Sequence, residues 1–178
     1  MVDDNYLYIG KKGYTIPKAI LTVEQEKRIR DDLTITPKIH GVPNTKPQGF
    51  PVYRESNNKI YVPHYYGVEH YGNVDKVKIK NGEDITLEFK GSLRDNQKGV
   101  VSTYLHHVSK TKIGGGLLEL PCAFGKTVLS LNIISELKKK TLIIVHKEFL
   151  MNQWIERIEQ FLPNTRIGKI QGQVIDID

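Results

Sequence analysis

The stretch LLELPCAFGKTVLSLNIISEL, residues 117–137, decides how this chain is read. It opens on a short apolar run, Leu117-Leu118-Glu119-Leu120, that follows the break Gly114-Gly115-Gly116. It continues from Lys126 to about Lys139 as a predicted helix rich in Val128, Leu129, Leu131, Ile133, Ile134 and Leu137. Between the two lies the loop Pro121-Cys122-Ala123-Phe124-Gly125-Lys126-Thr127. A strand, a loop with Gly-Lys-Thr and a helix form the setting in which a phosphate-binding loop is credible. Backbone N–H groups at a helix start make a concavity for anions, and Gly125 lets that backbone come close to a phosphate. Lys126 would reach the β- and γ-phosphates, and the Thr127 hydroxyl would ligate Mg²⁺. One departure is plain: the strict pattern wants Gly where Leu120 stands.

Working outward, Leu93 to about Val108 reads as a helix on the upstream side. Downstream, Leu142-Ile143-Ile144-Val145 is a continuous apolar run of the kind shown by a parallel strand buried on both faces. Residues 149–162 then place Leu150, Trp154, Ile155, Ile158, Phe161 and Leu162 on one stripe at helical spacing. Arg166–Ile170 reads as a further strand. Strand, helix, strand, helix, strand is the start of a doubly wound α/β sheet.

The chain changes character near residue 90. Before it, Thr22 with Gln25 three residues later predicts a capped helix through Leu33. A turn-rich stretch with Pro37, Gly41, Pro43, Pro47 and Gly49 follows. Phe50–Arg54 and Lys59–Val62 around Glu55-Ser56-Asn57-Asn58 read as a hairpin, His64–Tyr71 as a short helix and Asp84–Phe89 as a strand. The expectation is a small α+β domain over residues 1–90 and a separate α/β unit over 91–178.

Composition sets the outer bounds. Of 178 residues, 39% are hydrophobic and 26% charged, an ordinary globular balance that can bury a core. No stretch reaches the roughly 18 apolar residues of a membrane span, so no membrane partner is expected. The start, MVDDNYLYIG, lacks the basic and apolar regions of a signal peptide. One cysteine excludes a disulfide framework, and an intracellular setting is the default. The net charge of +6 is compatible with nucleic acid, but residues 1–90 carry 14 basic and 12 acidic groups and residues 91–178 carry 12 and 8, so charge singles out neither half.

Three segments together carry a resemblance over residues 86–172. They are Leu93-Arg94-Asp95-Asn96-Gln97, then Leu120-Pro121-Cys122-Ala123-Phe124-Gly125-Lys126-Thr127, then the strand 141–147 with Gln153-Trp154 on the next helix. In these the chain resembles superfamily 2 helicases, in the branch of XPB-like helicases, the poxvirus transcript-release helicase and type III restriction motor subunits. Within that branch it resembles helicases of large DNA viruses. The resemblance implies a partial RecA-like parallel sheet and the use of ATP with Mg²⁺. It also implies nucleic acid as partner, DNA rather than RNA, with transcription or repair as the process.

By the same resemblance, Gln97 would hydrogen-bond the adenine edge and Arg94 would support the base or phosphate side. Pro121, Cys122, Ala123, Phe124, Gly125, Lys126 and Thr127 would hold the triphosphate, and His146 and Lys147 would touch the nucleic-acid backbone. The family usually has Gly where this chain has Ala123; if the site needs a positive φ, Ala costs about 1 kcal/mol. A motor of this class also needs a Walker-B Asp-Glu pair and a second lobe with arginine fingers. Asp176 and Asp178 follow no apolar strand and come too early for that pair. The expectation is an amino-terminal portion of a longer protein, without ATPase activity by itself.

Two other readings compete. In one, residues 1–90 bind nucleic acid or a partner and the phosphate loop is passive; in the other, the chain is a different P-loop enzyme such as a nucleotide kinase, which has no need of the Arg94–Gln97 or Gln153-Trp154 segments. Cys122 reads as a plain small residue, Trp154 as a core anchor, and Tyr61, Tyr65, Tyr66 and Tyr71 as packing of a small domain more than as a platform for bases.

Overall fold

The computed structural model describes residues 5–37, 48–74, 76–110 and 114–177. Gly41, Pro43, Pro47 and Asp178 lie outside the described residues. Two compact units are present, residues 1–80 and 81–178.

The first unit is built on a four-stranded antiparallel sheet. β1 (Tyr8–Gly10) and β2 (Gly13–Pro17) form a hairpin, β2 pairs with β6 (Lys59–Val62), and β6 pairs with β5 (Arg54–Glu55). Strand alternation sends Ile9, Tyr14, Ile16, Ile60 and Val62 to one face, and all five are buried. Between the strands come α1 (Val23–Asp32), β3 (Thr34–Ile35) and β4 (Phe50–Pro51), and α2 (His64–Tyr71) follows β6.

The predicted cap of α1 is present in full. The Gln25 N–H donates to Thr22 Oγ1 at 3.2 Å, and the Thr22 N–H donates to Gln25 Oε1 at 2.9 Å. Ile29, fully buried, anchors the helix. Gly67 of α2 sits so close to the Tyr14 ring that any added Cβ would overlap it. Tyr14 is held from its far end as well, its hydroxyl donating to the Gly72 carbonyl at 3.0 Å.

The predicted hairpin over residues 50–62 is divided. Only Arg54–Glu55 pairs with β6, while Phe50–Pro51 turns away to pair with Thr34–Ile35. Pro51 has no N–H to give a central ladder, which suits the short two-stranded arrangement it joins.

The second unit contains α3 (Asp95–Ser109), α4 (Lys126–Leu137) and α5 (Glu148–Phe161), close to the three predicted helices. Its core gathers Val101, Leu129 and Ile133, with Leu93, Val100, Tyr104, Leu105, Leu118, Leu120 and Phe124 packed against them. The α5 stripe faces inward, with Leu150, Trp154, Ile155, Ile158 and Phe161 all half-buried and Leu162 buried just beyond it.

The doubly wound parallel sheet is not formed among the described residues. Leu117–Leu120 alternates as a strand does, Leu118 and Leu120 packing inward while Leu117 is 92% exposed, yet it has no ladder. Leu142–Val145 likewise has no ladder, and Leu142 and Ile144 stand exposed. A parallel strand needs a neighbour supplied by a crossover, and among the described residues no ladder joins either segment to one.

The segment expected as a third parallel strand is instead a hairpin. β7 (Lys169–Gln171) pairs antiparallel with β8 (Val174–Asp176) across Gly172-Gln173, with Gly172 at φ 57°. The Asp176 carboxylate there accepts from the Arg166 guanidinium at 2.7 Å. Asp84–Phe89 is extended with Ile85, Leu87 and Phe89 turned inward, but only Asp84 bridges, to Lys139. Residues 81–90 belong to this second unit and not to the first. The Ile85 N–H donates to the Lys138 carbonyl at 3.1 Å, the Lys90 N–H to the Phe161 carbonyl at 2.8 Å, and Phe89 stacks on Phe161 at 5.7 Å.

Candidate phosphate loop and adenine-side clamp

Residues 121–127 leave the extended segment 117–120 and turn into α4. Gly125 is the residue before the helix, at φ 85° and ψ 39°, in the left-handed region. No side chain caps α4, and its first hydrogen bond runs from the Leu129 N–H to the Gly125 carbonyl at 3.1 Å. The N–H groups ahead of it, on Lys126, Thr127 and Val128, have no acceptor within the helix, as at any helix start. They present the positive end of the helix dipole to whatever anion approaches.

Ala123 is at φ 61°. The conditional expectation about this residue is therefore met: the loop does place a side-chain-bearing residue in the conformation that favours glycine. The Lys126 ammonium is folded over its own loop, donating to the Pro121 carbonyl at 2.7 Å. Cys122 is exposed, and Thr127 is half-buried in the first turn of α4.

Arg94 and Gln97 come to this loop, but with roles that spacing did not reveal. Arg94 stands one residue before α3, not on it. Gln97 is 4% exposed, the third residue of the helix, and its Oε1 accepts the Arg94 N–H at 2.9 Å. This is half of a capping box, made without the Ser or Thr that usually announces one. Gln97 Nε2 donates to the Phe124 carbonyl at 2.7 Å, and the Arg94 guanidinium donates to the same carbonyl and, at 3.4 Å, to that of Ala123.

Two side chains from the start of α3 thus grip the carbonyls that precede Gly125. The fit is tight: a Cβ on Gly125 would lie 2.6 Å from Gln97 Nε2 and 3.2 Å from Arg94 Nη2. The signal for this clamp was the Gln three residues beyond a helix start; Arg in the cap position concealed it.

His146 and Lys147 are both exposed, between the segment 142–145 and α5. Lys147 is the residue before α5, and its carbonyl accepts the Met151 N–H at 3.2 Å. The four tyrosines weighed as one cluster are not together. Tyr66 donates to Asp32 Oδ2 at 2.8 Å and Tyr71 packs 6.4 Å from Tyr14, whereas Tyr61 points from the opposite face of the sheet. Burial and the Asp32 carboxylate both hold the Tyr66 hydroxyl well above its ordinary titration range. Among the described residues, no three His, Cys, Asp or Glu side chains gather as a metal site would need, and no helix is long and apolar enough to cross a membrane.

Residues 90–177 match the family described as type III restriction enzyme, res subunit. Across 94% of its length the chain is 35% identical to a protein of Acanthamoeba polyphaga mimivirus assigned as an ATP-dependent RNA helicase, L396. Over 66% of its length it is 33% identical to a protein of Invertebrate iridescent virus 6 assigned as a helicase, 161L. Over 55% it is 40% identical to the DNA 3'-5' translocase XPB2 of Sulfurisphaera tokodaii. The chain spans a third or less of the length of these relatives, 33%, 26% and 22% respectively. By these likenesses, residues 90–177 belong to the type III restriction and XPB branch of the superfamily 2 helicases.

Proposed function

We propose that the second unit, through residues 91–178, holds the nucleotide for an ATP-driven helicase or translocase, as the amino-terminal part of a RecA-like lobe, and that the first unit, residues 1–80, is its accessory domain. The observation that carries this is the clamp of Arg94 and Gln97 on the carbonyl of Phe124, directly ahead of a helix start with free N–H groups. Lys126, Thr127 and the N–H groups from Phe124 to Thr127 would hold the β- and γ-phosphates, with the Thr127 hydroxyl toward Mg²⁺. Bound ATP supplies the phosphoryl group, and Mg²⁺ spreads the charge that develops on its oxygens.

Gln97 is suited to the base side. An amide carries two donors and two acceptor sites; the helix cap and the loop take one of each, leaving one of each for an adenine edge. His146 and Lys147, exposed beside the start of α5, would face the nucleic-acid backbone. DNA is the proposed substrate: the stretch shared with the archaeal DNA translocase has the highest identity of the three relatives, although the mimivirus relative carries an RNA helicase name.

The test is titration of a fluorescent ATP analogue into residues 1–178 with Mg²⁺. Binding should be lost in Lys126→Ala at an unchanged unfolding temperature, and binding that survives this substitution would overturn the assignment. The same protein should show no ATP turnover above background, because no Walker-B pair or finger arginine lies in these residues and a finger alone is worth about 10³ to 10⁵ in rate.

A further inference from the structure

The second face of the amino-terminal sheet is unlike the first. Directly across β1, β2, β6 and β5 run Tyr8, Thr15, Tyr61 and Arg54, paired in register, with Thr15 only 1% exposed between the two half-buried tyrosines, and Lys59 points to the same side. None of these strand residues is acidic. Glu55, the acid of β5, alternates to the opposite face, where Lys18 holds it at 2.8 Å and Arg30 at 3.0 Å. The two rings stand two strands apart, about 10 Å, far enough for each to take its own partner.

Cations rest on these rings. Lys78 Nζ lies 4.1 Å and Lys59 Nζ 5.4 Å from the Tyr8 centroid, Lys12 Nζ 4.8 Å from that of Tyr61, and Lys76 Nζ 3.9 Å from that of Tyr6. Tyr6 in turn is 5.7 Å from Tyr8, tilted by 56°. An exposed cation on a ring is a weak hold that phosphate readily replaces. Flat rings interleaved with ammonium groups match a polymer that carries bases and phosphates together, and the bases must be unstacked to meet the rings.

We propose that this face of residues 1–80 binds single-stranded nucleic acid, with Tyr8 and Tyr61 stacking on bases and Lys12, Lys59 and Lys76 meeting phosphates. The inference stands apart from the nucleotide site at residues 121–127 and gives the accessory domain a ligand of its own.

The experiment is fluorescence anisotropy of a labelled oligothymidine of about 20 nucleotides with the 178-residue chain. Replacing both rings, Tyr8→Ala with Tyr61→Ala, should weaken binding tenfold or more, while Tyr8→Phe with Tyr61→Phe keeps the stacking faces and stays within about twofold. Lys59→Gln and Lys76→Gln should each flatten the dependence of log affinity on log salt by about 0.7, one single-strand phosphate contact apiece.

An Ala pair that keeps its unfolding temperature and binds within twofold overturns the proposal. So does equal binding of an oligonucleotide lacking bases, or of polyglutamate, since either makes the face a site for charge alone. Should the Ala pair fail to fold, the lysine variants decide, and unchanged salt slopes overturn it. Loss of binding in His146→Ala with Lys147→Ala and none in the tyrosine variants would refute this face while leaving the motor reading intact. Tyrosine-dependent binding in a chain that holds no ATP would do the reverse.

Discussion

Replacing Ala123 by glycine should stabilise the second unit, and the amount follows from one backbone angle. Ala123 is at φ 61° in the loop ahead of α4. An L-residue with a Cβ loses about 1–2 kcal/mol in that region, because the Cβ crowds the following carbonyl. Glycine is free of that cost but returns about 0.4–1 kcal/mol through the greater freedom of its unfolded chain. The difference leaves Ala123→Gly more stable by about 0.8 kcal/mol at the middle of these ranges, and by no more than about 1.6. For a unit of about 100 residues, this moves the melting temperature up by about 2–8 °C.

The assay is thermal unfolding of residues 1–178 followed by circular dichroism, with Ala123→Val beside it. A β-branched residue resists positive φ more than Ala does, so the valine variant should melt below the parent. If glycine lowers the melting temperature, or valine leaves it unchanged, residue 123 is not held in the left-handed region and the account of the loop fails.

Two further outcomes follow from named contacts. Gln97→Glu keeps the acceptor that caps α3 but sets a carboxylate oxygen against the Phe124 carbonyl where Nε2 now donates; urea unfolding of the second unit should show a loss of about 1–3 kcal/mol, and an unchanged midpoint would remove the clamp from the argument. Hydrogen bonds from Arg30 and Lys18 hold the Glu55 carboxyl at about 2, below its ordinary 4.5. A depressed folded value means stability that is present above pH 4.5 and lost as pH falls toward 2, so the first unit should weaken across that window, and Glu55→Gln should erase this part of the pH profile in urea midpoints taken from pH 6 to pH 2.

What could be read in advance was local. The α1 cap needs only Thr22 and Gln25, three residues apart, and both hydrogen bonds are where that spacing puts them. The loop at 121–127 announces itself by residue type, since Gly125 must take a left-handed angle for the helix to start there. The clamp was half legible: Gln97 was singled out, but as a partner for a base, while its bond to Phe124 depends on a carbonyl 27 residues away. Sheet pairing was the least legible. Apolar runs such as 142–145 say that a segment could be a strand, not which segment lies beside it. β1 and β2 carry few apolar residues and went unmarked, and the row Tyr8, Thr15, Tyr61, Arg54 exists only through registers that join residues up to 46 positions apart.

The bare run Leu142–Val145 bears on how this polypeptide behaves in a crowded solution. Leu142 is 73% and Ile144 84% exposed, on a β-prone segment with no charge and no proline. Such a segment is a template on which identical copies can zip together, and its rate of self-association climbs with concentration. The triplet Lys138-Lys139-Lys140 on one side and His146-Lys147 on the other act as gatekeepers, because stacking copies in register would line up like charges at both ends. Neutralising those lysines should therefore cost solubility before it costs folding.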